Sequence, residues 1–122
     1  MISELKELLN KAYSPYNNKS FASIVVMNDG TKFNGVNVMN ATYRDGIYAE
    51  QIAIAQAVTN GYKYGDFDYI HIMVNTNDIK DLKYLNERVI TEFFEPEKSV
   101  ILYTIDGDSR VLKVGNLYSN IF

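Results

Sequence analysis

Residues 33–54 read FNGVNVMNATYRDGIYAEQIAI, and this stretch decides the fold because its hydrophobic pattern changes part-way along it. Its first residues belong to an apolar run, residues 32–39, that predicts a β-strand. Its last residues open a helical pattern over residues 47–60, and Gly61 supplies a left-handed stop. The helix is rich in alanine, which predicts close packing against a sheet. Its apolar stripe consists of Ala49, Ile52, Ala53, Ala57 and Val58.

The segments on both sides of this stretch alternate between helix and strand patterns. Upstream, residues 1–10 have helical spacing, residues 21–27 are apolar, and the Asn-Asp-Gly sequence at 28–30 predicts a β-hairpin turn. Downstream, a further helix ends before Pro96. The order predicts one α/β domain over residues 1–122, with helices against a mixed sheet. The remaining predicted strands are residues 67–74, 99–105 and 110–114, and the further helix is marked by Leu82, Leu85, Val89 and Phe93.

Charge and hydropathy exclude some classes of function. The 122 residues include 12 Lys and Arg against 15 Asp and Glu, a formal net charge of −3, whereas nucleic-acid binders normally carry a basic face. No apolar run approaches the roughly 18 residues of a membrane span, and residues 1–10 resemble an amphipathic helix rather than a signal peptide. We therefore expect a cytoplasmic protein with neither nucleic acid nor membrane as a partner.

Cysteine is absent and histidine occurs once, as His71. This composition excludes disulfides, thiol nucleophiles and cysteine-ligated metals. His71 lies in an apolar strand, where a structural histidine is expected more often than a catalyst. A tight zinc site is not expected, and no cofactor is predicted.

Four segments, in the correct order, resemble the cytidine deaminase family. Residues 33–54 resemble the family pattern F-x-G-x-N-x-E-N-x-S/T-Y followed by C-A-E, and residues 12–16, AYSPY, match its A-Y-x-P-Y signature. Residues 88–94, RVITEFF, match the helix that follows P-C-x-x-C-R-Q, and residues 117–122, LYSNIF, are similar to its ending L-L-P-x-x-F. The resemblance covers nearly the whole chain and implies a three-layer α/β/α fold with a mixed sheet.

The chain departs from the family at the zinc ligands. Alignment through the Ala-Glu pair at 49–50 places Tyr48 at the first ligand position, and alignment from the following helix places Lys83 and Asn86 at the other two. Glu50 stands where the family has its proton-moving glutamate. The resemblance therefore implies a degenerate member with no metal.

The resemblance also assigns candidate ligand-binding residues. Asn37 occupies the position of the sugar-contacting asparagine, whereas Met39 replaces the glutamate two residues later. Lys19 aligns approximately with the aromatic residue that packs on the pyrimidine ring, and Ala49 is retained beside Glu50. The alternative for Asn37 is that it only satisfies backbone groups near a turn.

Two readings of the function stay open. General acid–base catalysis contributes about 10²–10⁴-fold, whereas enzymes typically need about 10⁶-fold or more, so Glu50 alone cannot replace zinc. The first reading is therefore a protein inactive as a hydrolytic deaminase, which binds a pyrimidine nucleoside or nucleotide or joins an oligomer. Glu50 would then be a relic that stabilises a helix N-terminus. The alternative is a cytidine or other pyrimidine-nucleoside enzyme that works without the usual zinc, with Glu50 as general base.

Lys83 and the C-terminus carry two further hypotheses. The Lys83 ammonium either replaces the zinc cation and pairs with Glu50, with Tyr48 and Asn86 as hydrogen-bond partners, or extends to solvent from a helix surface. The family commonly forms dimers or tetramers, so the resemblance implies a homo-oligomer. The apolar pair Ile121-Phe122 is a candidate contact.

Overall fold

The computed structural model describes residues 1–81 and 86–117, with the side chains of Tyr43 and Asp81 left out of the description. Within these ranges the chain forms one five-stranded sheet, and its strands run in the order β2-β1-β3-β4-β5. The strands are β1 Phe21–Met27, β2 Lys32–Val36, β3 Phe67–Val74, β4 Ser99–Tyr103 and β5 Ser109–Lys113. The helices are α1 Ile2–Leu9, α2 Ala49–Thr59, α3 Glu87–Phe93 and α4 Val114–Leu117. Single 3₁₀ turns lie at Tyr43–Asp45 and Ile79–Asp81.

The sheet is mixed, as predicted. Strands β3 and β4 are parallel, and the other neighbouring pairs are antiparallel. The predicted hairpin is confirmed: β1 and β2 pair in antiparallel register across a turn in which Gly30 has φ +87°. Glycine has no Cβ, so this left-handed conformation carries no steric cost there.

Helices cover both faces of the sheet, which confirms the three-layer arrangement. On one face α1 packs against the sheet through a small cluster around Leu5, Ile24 and Met73. On the other face α2 and α3 pack against a larger core. The fully buried aromatic and aliphatic members of that core include Phe67, Ile70, Ile72, Ile90, Phe94, Val100 and Leu102.

The predicted boundaries of β2 and α2 are wrong, because residues between these two elements pair with each other and with an earlier segment. Strand β2 ends at Val36 rather than at residue 39, and α2 begins at Ala49 rather than at residue 47. The reason is that Val38 forms isolated bridges with Tyr13 and Ile47, which hold these residues extended. These bridges form a small ladder beside the beginning of α2.

Residues 114–117 form the short helix α4, where the prediction had the last residue of a strand, Val114, followed by a tail. Leu82 and Leu85, used to predict the third helix, lie outside the described residues, and α3 begins at Glu87.

Gly35 fixes the distance between α2 and the sheet. A Cβ at this position would lie 2.5 Å from the carbonyl oxygen of Ala49 and 2.8 Å from the backbone nitrogen of Ala53. Real Cβ atoms do not approach backbone atoms this closely, so only glycine lets the helix lie directly on β2. The first turn of α2, which contains Glu50, is therefore held against the sheet. None of the helices that the structure describes is long and apolar enough to cross a membrane.

Candidate functional site

Glu50 is buried in the first turn of α2, with 2% of its surface exposed. Its Oε1 accepts a hydrogen bond of 2.7 Å from the backbone N–H of Asn86. Asn86 is the N-cap of α3, and its side-chain oxygen accepts from the N–H of Val89 at 3.4 Å. The carboxyl group of Glu50 thus joins the beginnings of two helices, where backbone N–H groups favour a negative charge.

Burial raises the pKa of the Glu50 carboxyl, because the charged form loses its hydration. Hydrogen bonds from the N–H groups of Glu50 itself and of Asn86 act in the opposite direction and lower it. Desolvation is the larger effect. The group is therefore a carboxyl that holds a proton more readily than an exposed glutamate, which suits an acid–base role.

The predicted partners of Glu50 are only partly brought together. Asn86 is adjacent and is a hydrogen-bond partner of Glu50: its backbone N–H donates to the carboxyl, while its side-chain oxygen caps α3. Tyr48 precedes α2 with 53% of its surface exposed, and its backbone N–H donates to the Gln51 side chain at 3.0 Å. Lys83 lies outside the described residues, so both hypotheses about it stay open.

Asn37 is buried, and both ends of its side chain bond to backbone. Its Oδ1 accepts from the N–H of Phe21, and its Nδ2 donates to the carbonyl of Lys19, each at 2.8 Å. These hydrogen bonds hold the segment that precedes β1 next to the segment that follows β2. The geometry agrees with the structural alternative for Asn37, and its role as a ligand contact stays a prediction. Of the other candidates, Lys19 is exposed, Met39 is half-buried, and Ala49 is fully buried.

A cavity of about 370 Å³ lies beside the beginning of α2. Met39 and Tyr48, two of the predicted site residues, help to line it, and so does Arg44. Sequence analysis did not single out Arg44; the available signal was a cation in the polar loop between β2 and α2. The other described lining residues are Gly46 and Ile47.

The donor set does not fit a zinc ion. Zinc in proteins takes cysteine, histidine and carboxylate ligands, yet the chain has no cysteine and one histidine. That histidine, His71, pairs in register with Ile24 on the α1 face, away from α2, and its Nδ1 lies 2.8 Å from the Tyr103 hydroxyl. Within residues 1–81 and 86–117, no three His, Cys, Asp or Glu side chains are grouped as a metal site requires.

Comparison with known proteins supplies the family. The profile described as the cytidine and deoxycytidylate deaminase zinc-binding region matches residues 1–77, more than half of the chain. This chain belongs to the cytidine and deoxycytidylate deaminase family. The resemblance seen in the four sequence segments is therefore confirmed.

Individual members of the family agree in sequence and in fold. A cytidine deaminase of Mycoplasma genitalium is 33% identical over 109 residues, which are 89% of this chain and 81% of that protein. One of Sporosarcina psychrophila is 27% identical over 122 residues, which are 100% of this chain and 88% of that protein. The crystal structure of a cytidine deaminase from Burkholderia pseudomallei superimposes with a TM-score of 0.85 at 34% identity, covering 95% of this chain and 91% of the other.

Family membership therefore predicts a zinc site, whereas the side chains that are present do not fit a zinc ion. The fold of the deaminase family is present, and the chain has no cysteine that could serve as a zinc ligand. The placement of Tyr48, Lys83 and Asn86 at the family's ligand positions, and of Glu50 at that of its glutamate, stays a prediction.

Proposed function

We propose that this chain binds a pyrimidine nucleoside and acts on it without the zinc centre of its family, with Glu50 as the group that moves protons. The observation that carries the proposal is a buried carboxyl with a raised pKa, retained in a deaminase-family chain that has no cysteine. The names of the relatives favour an enzyme over a purely binding protein.

The expected chemistry is slow hydrolytic deamination. Water adds to C4 of a cytosine ring and ammonia leaves, so a proton must be removed from the water and one delivered to the departing amine. A carboxyl that both accepts and returns protons serves both steps. Acid–base catalysis of this kind gives about 10²–10⁴-fold acceleration, well below the 10⁶-fold or more of ordinary enzymes.

The cavity beside α2 offers plausible contacts for a planar base. Tyr48 presents an exposed aromatic ring and Met39 a polarisable thioether, and both line the cavity. Aromatic rings and thioethers make favourable contacts with the flat face of a base. Contacts of Asn37, Ala49 and Lys19 with the ligand are also part of this proposal.

A turnover assay with matched carboxylate variants tests this function. The full chain is incubated with cytidine or deoxycytidine in chelator, and ammonia release is measured for the wild type, Glu50→Gln and Glu92→Gln. Glu92 is an exposed glutamate of α3 and serves as the control. We expect slow release that Glu50→Gln abolishes and Glu92→Gln leaves unchanged. Equal ammonia release by Glu50→Gln and Glu92→Gln contradicts the proposal. A thermal-unfolding experiment in which no pyrimidine nucleoside or nucleotide raises the melting temperature also contradicts it, because a ligand of the folded state must raise that temperature.

A second candidate function is that of a subunit in an oligomer, with ligand binding but no turnover. The supporting observation is the outer surface of α2, because residues 51–62 contain no charged residue. A groove of about 740 Å³ runs between this surface and α3. Depletion of charge marks the cores of protein interfaces. The apolar lining of the groove includes Ile47, Ile52, Val58, Val89 and Phe93.

The oligomer is tested by mass measurement in solution. We expect the wild type to sediment as a dimer or tetramer and Val58→Glu to shift it to monomer. Val111→Glu is the control, because Val111 is 64% exposed on β5, away from α2. A monomeric wild type contradicts the subunit reading, and so does a Val58→Glu variant that keeps the wild-type mass.

The cytoplasmic location stays a prediction.

A further inference from the structure

The loop between α1 and β1 is held by a residue from elsewhere in the chain, Asn75, which directly follows β3. The Oδ1 of Asn75 accepts from the N–H of Ser20 at 3.0 Å, and its Nδ2 donates to the carbonyl of Asn18 at 2.8 Å. Its backbone N–H also donates to the carbonyl of Ser20, at 3.1 Å. Three polar groups of one residue thus bind two residues of the loop.

The conformation of this loop needs such support. Asn18 has φ +56°, in the left-handed region that asparagine adopts more readily than most residues but that still persists only where its surroundings hold it. The loop is also linked within itself, because the N–H of Asn18 donates to the carbonyl of Ser14 at 3.1 Å and the hydroxyls of Ser14 and Ser20 are 2.9 Å apart. Holding residues 18–20 from outside therefore holds the turn back to Ser14.

The same loop is bonded to the segment that follows β2. The N–H of Met39 donates to the carbonyl of Tyr13 at 2.7 Å, and the N–H of Tyr13 donates to the carbonyl of Asn37 at 3.0 Å. The Nδ2 of Asn37 donates in turn to the carbonyl of Lys19 at 2.8 Å. Met39 lines the cavity beside α2. The loop that Asn75 holds is thus in direct contact with Met39 and Asn37, two of the residues to which the proposed function gives ligand contacts.

We propose that Asn75 is a positioning residue for the ligand, acting through the loop that keeps Met39 and Asn37 in place. The inference rests on the proposed nucleoside-binding function and adds a residue to it. Glu50, the proposed proton carrier, is held from a different place, the backbone N–H of Asn86. Loss of the Asn75 side chain should therefore weaken ligand binding, because the binding residues are no longer preorganised, and leave the chemical step unchanged.

Two measurements on the full chain separate binding from chemistry: calorimetric titration with cytidine, and ammonia release at saturating cytidine in chelator. The variants are Asn75→Ala, Asn75→Asp and Asn28→Ala. Asn28 is the matched control, because it follows β1 at the end of that strand away from the loop, and its Nδ2 likewise donates to a backbone carbonyl, that of Gly65, at 2.7 Å.

We expect Asn75→Ala to bind cytidine about five- to tenfold more weakly than the wild type and to keep the wild-type rate at saturation. Asn75→Asp retains an oxygen acceptor for the N–H of Ser20 and should recover part of the lost affinity. Asn28→Ala should change neither the affinity nor the rate.

Amide hydrogen exchange of the free chain tests the path through the loop. Asn75→Ala should speed the exchange of the Ser20 N–H, which loses its acceptor, and also that of the Met39 N–H, whose acceptor belongs to the loop. Asn28→Ala should leave both rates unchanged. Faster exchange at Ser20 alone would show that the loop does not transmit the change to the cavity, and it overturns the inference.

The binding outcomes separate this inference from the function on which it rests. Wild-type affinity in Asn75→Ala overturns the positioning role but leaves nucleoside binding in place. A lower rate at saturation in Asn75→Ala also overturns it, because the residue would then act on the chemical step. An equal loss of affinity in Asn28→Ala would show a general effect of lost stability and overturns it too. A wild type that binds no pyrimidine nucleoside overturns the proposed function and this inference together.

Discussion

Among the residues that the structure describes, one face of the sheet buries a carboxyl group and the other buries an imidazole, and the surroundings of the two groups differ. On the α2 face, Glu50 accepts from the backbone N–H of Asn86, and burial raises its pKa. On the α1 face, His71 contacts the Tyr103 hydroxyl at 2.8 Å, and its pKa is lowered to about 4, chiefly by burial and then by the positive N-terminus and Lys32. Burial favours the neutral form of both groups.

The difference lies in the surroundings. His71 is packed between aromatic side chains, with the Tyr69 and Tyr103 ring centroids 5.1 and 5.6 Å away. Glu50 lies where two helices begin, and Tyr48, two residues before it, lines an open cavity. The histidine is thus enclosed as part of a core, whereas the buried carboxyl lies two residues after Tyr48, which lines a cavity. A perturbed pKa is therefore a stronger indication of a site when neighbouring residues of the chain line a cavity.

The largest expected effect comes from separating α2 from the sheet on the Glu50 face. Gly35→Ala places a methyl group against the backbone of Ala49 and Ala53, so the helix must move. We expect a loss of about 3 kcal/mol in the free energy of unfolding, measured by urea denaturation, because overpacking against backbone cannot relax cheaply. Asn34→Ala on the same strand, at an exposed position, is the control and should change stability by less than about 0.5 kcal/mol. Equal stability of wild type and Gly35→Ala would show that α2 does not lie on β2 at this point.

The α1 face should respond to pH. Because the folded-state pKa of His71 lies below the unfolded value, the unfolded chain binds more protons in acid, and the stabilisation is complete above about pH 6.5 and lost as the pH falls toward 4. We expect His71 to account for about 2 kcal/mol of that loss, after allowance for its partial exposure. Denaturation of wild type and His71→Gln between pH 7 and 4 measures the difference. The two curves should converge toward low pH, and parallel curves would contradict the shift.

A change on the Glu50 face should raise stability at neutral pH. The pKa of Glu50 is higher in the folded chain than in the unfolded chain. The folded state therefore loses stability as the pH rises above the unfolded-state pKa, and an uncharged amide at this position avoids that loss. Glu50→Gln retains an oxygen acceptor for the Asn86 N–H and should be more stable than the wild type by about 1 kcal/mol at pH 8. Glu92→Gln, on the surface of α3, should show no comparable gain. A destabilised Glu50→Gln would indicate a charged Glu50 that is well paired in the folded state.

The smallest effect tests the hydrogen bond of the histidine. Tyr103→Phe removes the hydroxyl from His71 but keeps the ring, so we expect a loss of about 1 kcal/mol at pH 7. Tyr69→Phe, on the ring that packs edge-on to His71, should cost less. Thermal unfolding of the two variants makes the comparison. An equal loss in both would assign the contribution to packing rather than to the hydrogen bond.

Local signals in the sequence predicted most of the fold. The boundaries of β1 and β3 agree with prediction because each is a continuous apolar run, and the hairpin follows from a glycine that adopts positive φ. The boundaries at β2 and α2 were wrong because Val38 pairs with Ile47 and Tyr13, a contact set by tertiary structure. Helix α4 was missed because four residues carry too little periodicity to recognise.

The candidate site was only partly predictable. Resemblance predicted Glu50, Tyr48 and Asn86 as site residues, but it cannot tell that Asn86 contacts Glu50 through its backbone, because any residue except proline supplies that N–H. The binding of both ends of the Asn37 side chain to backbone likewise depends on two segments meeting in space. The family pattern leaves the residues between its tyrosine and its C-A-E unspecified, so the place of Arg44 in the cavity required the structure.

The central claim is that a deaminase-family chain has lost the means to hold zinc. Elemental analysis of the purified full chain, incubated with excess zinc and then desalted, tests it most directly. We expect far less than one zinc per chain, since the chain offers no thiolate and its single imidazole, that of His71, lies on the opposite face of the sheet from α2. One tightly retained zinc per chain would contradict it.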